Sequence, residues 1–587
     1  MESTSDQVIF EQSVSNIEDP VLFQDKKYTY IVDSSSNSGS FSSGQIQFDL
    51  STFSNQSQWI SLKEAVVEIP YKITGKISTS ATGTGVNSTA FGYLSATMKN
   101  GWHQIIDSAQ LVINGQTIQS AQPYENISAQ FKILSTWSQD NAKKWGTTLG
   151  FALDDCTGND YQKITSTTPG SSEEYYTYAG LSNVTSTDVL SSAKGLDVVS
   201  EKAQNYLDNK GALHRTRIIN NCTNTGTLNQ AILGSTNVIA SGLSNVATAS
   251  SDDNVVNNDK FCLCAMATIR LKDICNIDDF PLTKNLKGFL YLSFNSFSVE
   301  LTGTVGTGAS GAVTNQGVIS AVTYTPLTGR TCPFNIIDSN SGSNQSGFQI
   351  GAGTTSAAKV LFTGSVDGTN NNLLTGNGVA SPNARIVCPY YIANPKVDSA
   401  LTMTKTFSTY EKIVNPILAS ADQTVNYTIT VGVANPRRLV LIPFYQNMGG
   451  ATLPNPEYSA FDSVPATSSP FAFLKNLQVQ VGNRNIYQTP INYGFEQWIQ
   501  ENSGLGLNGN MIDESTSGLL SQQLWETNHR FYSVDLSRRL SSEDGTSKSV
   551  QVSFTNGSPN YAMKVIAIVY YEKKYTINTS QCLITSA

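Results

Sequence analysis

The chain has 587 residues, more than the roughly 250 to 300 that one hydrophobic core usually organises, so two domains are expected. Charged residues make up 14% of it, well below the roughly 25% of an average soluble domain. Its formal net charge is -8 and its isoelectric point about 5.1. This balance argues against attraction to a phosphate backbone, and no sequence-specific binding of nucleic acid is expected.

Residues 1–26 form an acidic amino-terminal arm. The first 25 residues contain no Lys or Arg, which argues against a basic genome-binding tail at this end. The arm also lacks the apolar run and cleavage site of a secretory signal, and no apolar segment approaches the length of a membrane span. We therefore expect no transmembrane segment and a cytosol-like compartment, in which most of the eight cysteines are buried thiols.

Strand signals dominate the chain from Tyr28 to the carboxy terminus. Short runs rich in Val, Ile, Tyr, Phe and Thr alternate with Gly, Asn, Ser and Asp. Examples are IQFDL at 46–50, FLYLSF at 289–294, VQVSF at 550–554 and VIAIVYY at 565–571. Helical periodicity is rare, so the sequence predicts an all-β protein built as sandwiches or barrels.

One ordered set of sequence blocks occurs twice, and such a repeat indicates the architecture directly. VVEIPY at 66–71 is matched by LVLIPF at 439–444, and LVING, ending at Gly115, is matched by QVQVG, ending at Gly482. A Pro, a Gln and an aromatic residue follow each glycine at the same sequence spacing in both copies: Pro123 and Pro490, Gln130 and Gln497, Phe131 and Trp498. A strand, a Gly turn and a Pro-started short helix are predicted in both copies.

The two predicted helices each have an apolar face. In the first copy it consists of Tyr124, Ile127, Phe131 and Leu134, and in the second of Ile491, Phe495 and Trp498. The remaining block pairs keep one order: IQFDL (46–50) with VNYTITV (425–431), IRLKDI (269–274) with VDLSRRL (534–540), YLSFN (291–295) with VSFTN (552–556), and CPYY (388–391) with IVYY (568–571).

Spacing between the blocks differs, because the first copy contains two insertions, at about 138–260 and 302–382. Insertions confined to one copy are typical of surface loops. We place the first domain at 27–398, with both insertions, and the second at 399–587.

The same blocks resemble a known family. Two amino-terminal segments, SGQIQFDLS and SLKEAVVEIPYKI, are similar to the first jelly roll of Polinton-like virus and virophage major capsid proteins. Three later runs resemble the second jelly roll of that family: NPRRLVLIPF (435–444), FLKNLQVQVGNRNIYQTPINYGFEQWI (473–499) and RFYSVDLSRRLSSEDGTSKSVQVSF (530–554). The resemblance covers about half of the chain.

The resemblance implies two eight-stranded antiparallel jelly rolls in tandem, with short helices and with long loop insertions in the first. It implies a homotrimer, a pseudo-hexameric capsomer, that tiles the icosahedral shell of a tailless double-stranded DNA virus. The protein would then be located in the virion after assembly inside the infected host cell. Its partners would be copies of itself, neighbouring capsomers, and penton and minor or cement capsid proteins. No catalytic, cofactor-binding or metal-binding residue is implied, so the protein is not expected to be an enzyme or to need a cofactor.

Individual residues give little support for chemistry. The three histidines, His103, His214 and His529, lie in different segments without a Cys or carboxylate at ligand spacing. Cys262 and Cys264 share one face of a predicted strand, but no second pair completes a zinc site. Buried thiols are the favoured interpretation.

Paired charges have two interpretations each. Asp154-Asp155, Asp278-Asp279 and the run 367–372 have the oxygen ligands of a cation site, but turns and strand-end caps are favoured. Arg437-Arg438 and Arg538-Arg539 either anchor a neighbouring subunit through bidentate contacts or form salt bridges within the domain. Glycosylation sequons at Asn87, Asn183 and Asn578 are expected by chance in so Asn-rich a chain and are taken as unmodified.

Two other classes of protein remain as alternatives. A β-sandwich cell-surface adhesin or lectin also favours Gly-, Ser-, Thr- and Asn-rich loops, but the missing signal peptide argues against it. A β-rich polysaccharide enzyme needs two carboxylates that face a cleft, and the duplicated blocks contain few acids.

Overall fold

The structure is a computed structural model. It describes residues 22–34, 41, 43–54, 57–77, 94–154, 163–165, 174–176, 211, 215, 229–230, 236–240, 260–305, 317–338, 357–368, 383–395, 398, 401–446, 456–460, 463–469, 472–502, 518–537, 541–558 and 562–586.

Antiparallel strands form most of the described part. They are β1 (Phe23–Val32), β2 (Gln45–Asp49), β3 (Trp59–Ile60), β4 (Val66–Ile77), β5 (Leu94–Met98), β6 (Ile106–Ile113), β7 (Gln116–Gln119), β8 (Lys163–Thr165), β9 (Glu174–Tyr176), β10 (Asn229–Gln230), β11 (Thr236–Ala240), β12 (Lys260–Arg270), β13 (Gly288–Phe294), β14 (Ser296–Val305), β15 (Gly317–Thr328), β16 (Phe334–Asp338), β17 (Ala357–Val366), β18 (Arg385–Ala393), β19 (Thr404–Ala419), β20 (Thr424–Ala434), β21 (Pro436–Gln446), β22 (Leu474–Val481), β23 (Arg484–Asn485), β24 (Tyr532–Asp535), β25 (Ser547–Asn556), β26 (Ala562–Asn578) and β27 (Leu583–Ser586).

Short helices connect some of these strands. The α-helices are α1 (Glu125–Thr136), α2 (Gln139–Trp145), α3 (Leu271–Ile274), α4 (Phe495–Asn502) and α5 (Gln522–Thr527), and 3-10 turns lie at Leu50–Phe53, Leu62–Glu64, Trp102–Ile105, Pro456–Tyr458 and Ser541–Glu543. No helix in the described segments is long and apolar enough to cross a membrane.

The second barrel consists of the eight strands β19 to β26, with β27 added beside β26. One sheet has the order β19-β26-β21-β24 and the other β20-β25-β22-β23. Numbered from one to eight along the chain, the strands therefore pair as 1-8-3-6 and 2-7-4-5. This double Greek-key order defines a jelly roll.

The first barrel has the same order. Its larger sheet contains β1-β18-β4-β12, and its smaller sheet is β2-β13-β6-β7. Each block pair recognised in the sequence begins in strands of the same rank: β2 with β20, β4 with β21, β6 with β22, β12 with β24, β13 with β25, and β18 with β26. The predicted fold class, two jelly rolls in tandem, is confirmed.

The insertions in the first copy add strands to this framework. In the first insertion, β10 and β11 extend the large sheet beyond β12, and β8 pairs with β9. In the second, β15 and β17 pair on either side of β14, and β16 pairs with β5. The run 302–382 was predicted as a loop, but parts of it form strands because GVISAVTYTPLT and AAKVLFTGSV are rich in β-branched and aromatic residues.

Alternating side chains fill the two barrels. In β2, Ile46 and Phe48 are buried while their neighbours are partly or fully exposed, as expected for a strand with one face on the core. In the second barrel, Val552 and Phe554 alternate in the same way in β25, which pairs with β20, the counterpart of β2. The buried apolar residues form two clusters, one centred on each barrel.

The predicted glycine turns are present in both copies. Asn114 and Gly115 connect β6 to β7 with φ values of 48° and 79°, and Gly482 and Asn483 connect β22 to β23 with φ values of 55° and 62°. Two consecutive positive φ angles in a two-residue hairpin loop are typical of a type I′ turn, which favours Asn and Gly.

The helices after these hairpins differ from the prediction in their starts. Tyr124 is the N-cap of α1 with a φ of 59°, so Pro123 precedes the helix. In the second copy Ile491 is not helical, because its backbone N–H donates to the Leu477 carbonyl at 3.0 Å and its carbonyl accepts from the Leu477 N–H at 2.8 Å. α4 therefore begins only at Phe495.

The strands begin near the proposed domain limits. β1 begins at Phe23, within the segment 1–26 assigned to the acidic arm, and β19 begins at Thr404. The boundaries at 26/27 and 398/399 stay predictions.

Candidate functional site

The two barrels meet along a buried junction that is organised by α1. Every residue of this helix except Thr136 is buried. Its predicted apolar face is confirmed, but Ile127, Phe131 and Leu134 belong to the cluster of the second barrel. Phe131 packs edge-on against Phe531, with ring centroids 4.9 Å apart. A helix encoded in the first copy therefore helps to fill the core of the second.

A buried ion pair crosses the junction. The Lys412 ammonium of β19 donates to the Glu125 carboxylate of α1, and both side chains are 2% exposed. Lys412 Nζ also lies 3.2 Å from Ser128 Oγ, which is 2.6 Å from the Tyr570 hydroxyl. Burial raises the pKa of Glu125, although the neighbouring Lys412 acts in the opposite direction. This small network holds α1 against the strand pair β19–β26.

A second charged group lies at the start of α1. Lys564 of β26 donates to Glu457 Oε1 at 2.6 Å and to the Tyr124 hydroxyl at 3.1 Å. Burial alone would lower the pKa of Lys564, but the Glu457 carboxylate outweighs it, so the pKa is raised. Lys564 therefore stays charged and joins both barrels.

Lys99, directly after β5, is a buried cation of the first barrel. Its ammonium donates to the carbonyl oxygens of Ser459, at 2.8 Å, and of Val464 in the second barrel. Burial lowers the pKa of Lys99 to about 8. A buried ammonium is costly unless it is hydrogen-bonded, so these carbonyls fix the position of the loop before β22.

Neutral contacts continue along the junction. Asn276 Nδ2 donates to the Tyr410 carbonyl at 2.8 Å, and the Tyr575 hydroxyl donates to the Thr117 carbonyl at 3.1 Å. Phe280 packs edge-on against Phe407 with centroids 5.2 Å apart. The strand pair β19–β26 is thus covered by the first barrel over much of its length.

In the corresponding strand pair of the first barrel, β1–β18, the outer face of β1 is exposed, and β18 is buried or half-buried. Tyr28, Tyr30 and Val32, which we call the β1 patch, are 67%, 61% and 38% exposed. Alternate residues of a strand point to one face, so the three side chains lie together, whereas Ile31 between them is buried. Lys26 lies over the Tyr28 ring at 5.7 Å and Arg385 over the Tyr30 ring at 6.0 Å.

The structure separates the candidate histidines. His103 is buried and lies 2.7 Å from Gln130 Oε1 on α1, and burial lowers its pKa to about 4. His529 lies 3.1 Å from the Asp154 carbonyl, again across the junction. Both have structural contacts rather than a shared site. The described residues contain no group of three His, Cys, Asp or Glu side chains that could hold a metal ion.

The cysteines follow the predicted interpretation where they can be assessed. Cys275, Cys332, Cys388 and Cys582 are buried free thiols, and burial raises the pKa of Cys332 and of Cys582 to about 11. Cys262 and Cys264 lie in β12, opposite Thr74 and Lys72.

Acidic candidates are engaged by cations. Asp154 Oδ1 accepts from Arg215 at 2.7 Å with both side chains buried, and Asp367 accepts from Lys72 at 3.2 Å. Asp278 and Asp279 lie in a turn and line a cleft of about 560 Å³ with Trp59 and Phe407. Asp278 pairs with Lys132 at 3.1 Å.

The first arginine pair acts within the second barrel. Arg437 binds Glu572 of β26 at 2.5 Å, and Arg438 contacts Asn502 and the Ser533 hydroxyl, the latter at 2.8 Å. The intradomain interpretation therefore applies to this pair. Asn578 accepts backbone hydrogen bonds from Ser580 and Gln581 at 3.1 and 3.2 Å. His214, Asp155, 369–372, Arg538, Arg539, Asn87 and Asn183 lie outside the described residues.

Sequence reasoning missed the residues that join the barrels. Glu125 lies in a helix that was recognised only by its apolar face, and the segments that contain Lys99 and Lys412 were not singled out. A signal was present at Glu125 and Ser128, which interrupt the apolar pattern of a helix that is buried on all sides.

The chain was compared with known proteins. No family model and no curated protein matches it. Among solved structures, a chain of the Sputnik virophage is 12% identical, with a TM-score of 0.46, and covers 97% of this chain and 89% of its own. The mavirus major capsid protein is 10% identical, with a TM-score of 0.43 and coverages of 95% and 90%. The Faustovirus major capsid protein is 10% identical, with a TM-score of 0.40 and coverages of 95% and 91%.

Proposed function

We propose that this protein is the major capsid protein of a tailless double-stranded DNA virus. Three copies associate into a pseudo-hexameric capsomer, and many capsomers tile an icosahedral shell. The protein is a structural subunit of the virion, assembled inside the infected host cell, and it catalyses no reaction. Its partners are copies of itself, neighbouring capsomers, and penton and minor or cement capsid proteins.

The observation that carries the proposal is the repetition of one eight-strand order within one chain. Three chains of two similar barrels present six similar lobes, and six lobes suit a hexagonal lattice. Closed rotational symmetry is the usual outcome for homo-oligomers. Because the two barrels are already joined, three association steps and their rigid-body entropy cost are removed.

The buried junction supports the same proposal. Its ion pairs and hydrogen bonds keep the two barrels of one chain together, which a subunit of fixed outline needs. The insertions of the first copy make the two lobes unequal, so the orientation of each capsomer on the lattice is defined. We propose domains at 27–398 and 399–587 after the acidic arm.

Sedimentation of purified protein tests the proposal. A species with three times the 63.3 kDa mass of the chain is expected at micromolar concentration, with an obligate interface of thousands of square ångströms. Monomers alone would contradict it. Monomers that bind glycans would favour an adhesin or lectin.

A further inference from the structure

We propose that the β1 patch and the strand pair β1–β18 around it form the surface on which the second barrel of another copy docks. The inference rests on the proposed trimer and adds the surface that closes it.

The first observation is the chemistry of the patch. Two tyrosines and a valine are exposed side by side on a regular strand, and clustered exposed apolar groups on a soluble protein mark interaction surfaces. Lys26 and Arg385 lie over the two tyrosine rings. Tyr and Arg, together with Trp, are enriched among the residues that dominate binding energy at protein interfaces.

The second observation comes from the internal repeat. β1 and β18 have the same rank in the first barrel as β19 and β26 in the second. In the second barrel this strand pair is covered by α1 and β7 of the first. In the first barrel, the equivalent pair has no such cover from the described part of the second.

The repeat also indicates the occupant. The elements that cover β19–β26 are β7 and α1. They lie in the segment between β6 and β12, the fourth and sixth strands of the first barrel. The counterpart in the second barrel is the segment from β22 to β24, which contains β23 and α4. There α4 exposes Glu496, Ile499 and Gln500, with Ile499 at 38%. An exposed acid on α4 suits the cation Lys26, which lies over the Tyr28 ring of the patch.

One contact, repeated three times around an axis, would therefore close a ring. In it, each second barrel lies between the first barrel of its own chain and the first barrel of the next. The contact within a chain and the contact between chains then use equivalent strand pairs.

The test compares two matched double variants with the wild-type chain by sedimentation. Tyr28→Ser/Tyr30→Ser should raise the dissociation constant of the trimer at least about 100-fold, since it removes two central aromatic contacts. The control, Tyr427→Ser/Val431→Ser, changes residues that are 36% and 88% exposed on β20 and should leave the trimer intact. Ile499→Asp should weaken the trimer from the opposite side.

A wild-type trimer that is unaffected by Tyr28→Ser/Tyr30→Ser would overturn this inference and leave the proposed function standing. A wild-type monomer would overturn both. Tyrosine nitration of the wild-type chain gives a readout that is independent of variant folding. Tyr28 and Tyr30 should be protected in the trimer and react after dilution to monomers, and equal reaction in both states would contradict the inference.

Discussion

The strand pairs β19–β26 and β1–β18 have the same rank and similar pairing but different surroundings. Lys412, opposite Tyr570, is 2% exposed and paired with Glu125. Lys27, opposite Tyr390, is 54% exposed and pairs with Asp25 at 2.8 Å. The comparison shows that a repeated strand order fixes where a residue lies in its barrel, whereas the neighbouring barrel determines what that residue contributes.

The largest expected effect comes from removing one charge of the junction. Lys412→Met should lower the free energy of unfolding by about 3 to 5 kcal/mol, because it leaves the Glu125 carboxylate buried without its cation. Lys27→Met, at the matching register, should cause no measurable change because exposed ion pairs contribute little. Chemical denaturation of both variants measures the difference.

The double variant Glu125→Gln/Lys412→Met serves as the control for this experiment. It should recover most of the loss, since no unpaired charge remains. Equal losses of unfolding free energy for Lys412→Met and Lys27→Met would contradict the different surroundings of the two strand pairs.

The next effect is a pH dependence of stability that arises at His103, beside the junction helix α1. His103 contacts α1 through Gln130, and burial lowers its pKa to about 4, whereas the unfolded chain keeps a value near 6.5. The unfolded state therefore binds the proton more tightly, and stability falls as pH decreases from about 6.5 to 4. The loss should approach about 3 kcal/mol.

His103→Gln keeps a polar partner for Gln130 and removes the titration. The free energy of unfolding at pH 7 and pH 4 is measured for both chains. The variant should lose less stability on acidification than the wild type by about this amount, and identical losses would be inconsistent with a buried neutral His103.

The smallest effect concerns one hydroxyl. Tyr570→Phe removes the 2.6 Å hydrogen bond to Ser128 and should lower the free energy of unfolding by about 1 kcal/mol. Tyr390→Phe changes the residue of β18 that is equivalent to Tyr570. Tyr390 is only half-buried, so its variant should have a smaller effect. Thermal unfolding of both variants measures the two losses of stability. A larger loss for Tyr390→Phe would contradict the conclusion that β19–β26 is the covered strand pair.

Strand order was accessible from the sequence because the signals are local. The run IQFDL at 46–50 indicated a strand, and Gly115 and Gly482 indicated both turns. The fixed distance from each glycine to Gln130 and Gln497 located both helices. Such signals depend on a few neighbouring residues, so they survive in a single sequence.

The junction could not be predicted in the same way. The apolar face of α1 was recognised, but no local pattern tells which barrel Phe131 fills. Lys99 and Lys412 resemble ordinary polar positions until another part of the chain buries them. The start of α4 depends on hydrogen bonds between Ile491 and Leu477, which belong to the tertiary structure.

Electron microscopy of the purified protein tests the central claim most directly. Top views with three-fold symmetry and six lobes, alternating between larger and smaller, are expected if each chain supplies two joined jelly rolls to a ring. Views with only three lobes, or single two-lobed particles at micromolar concentration, would contradict the account.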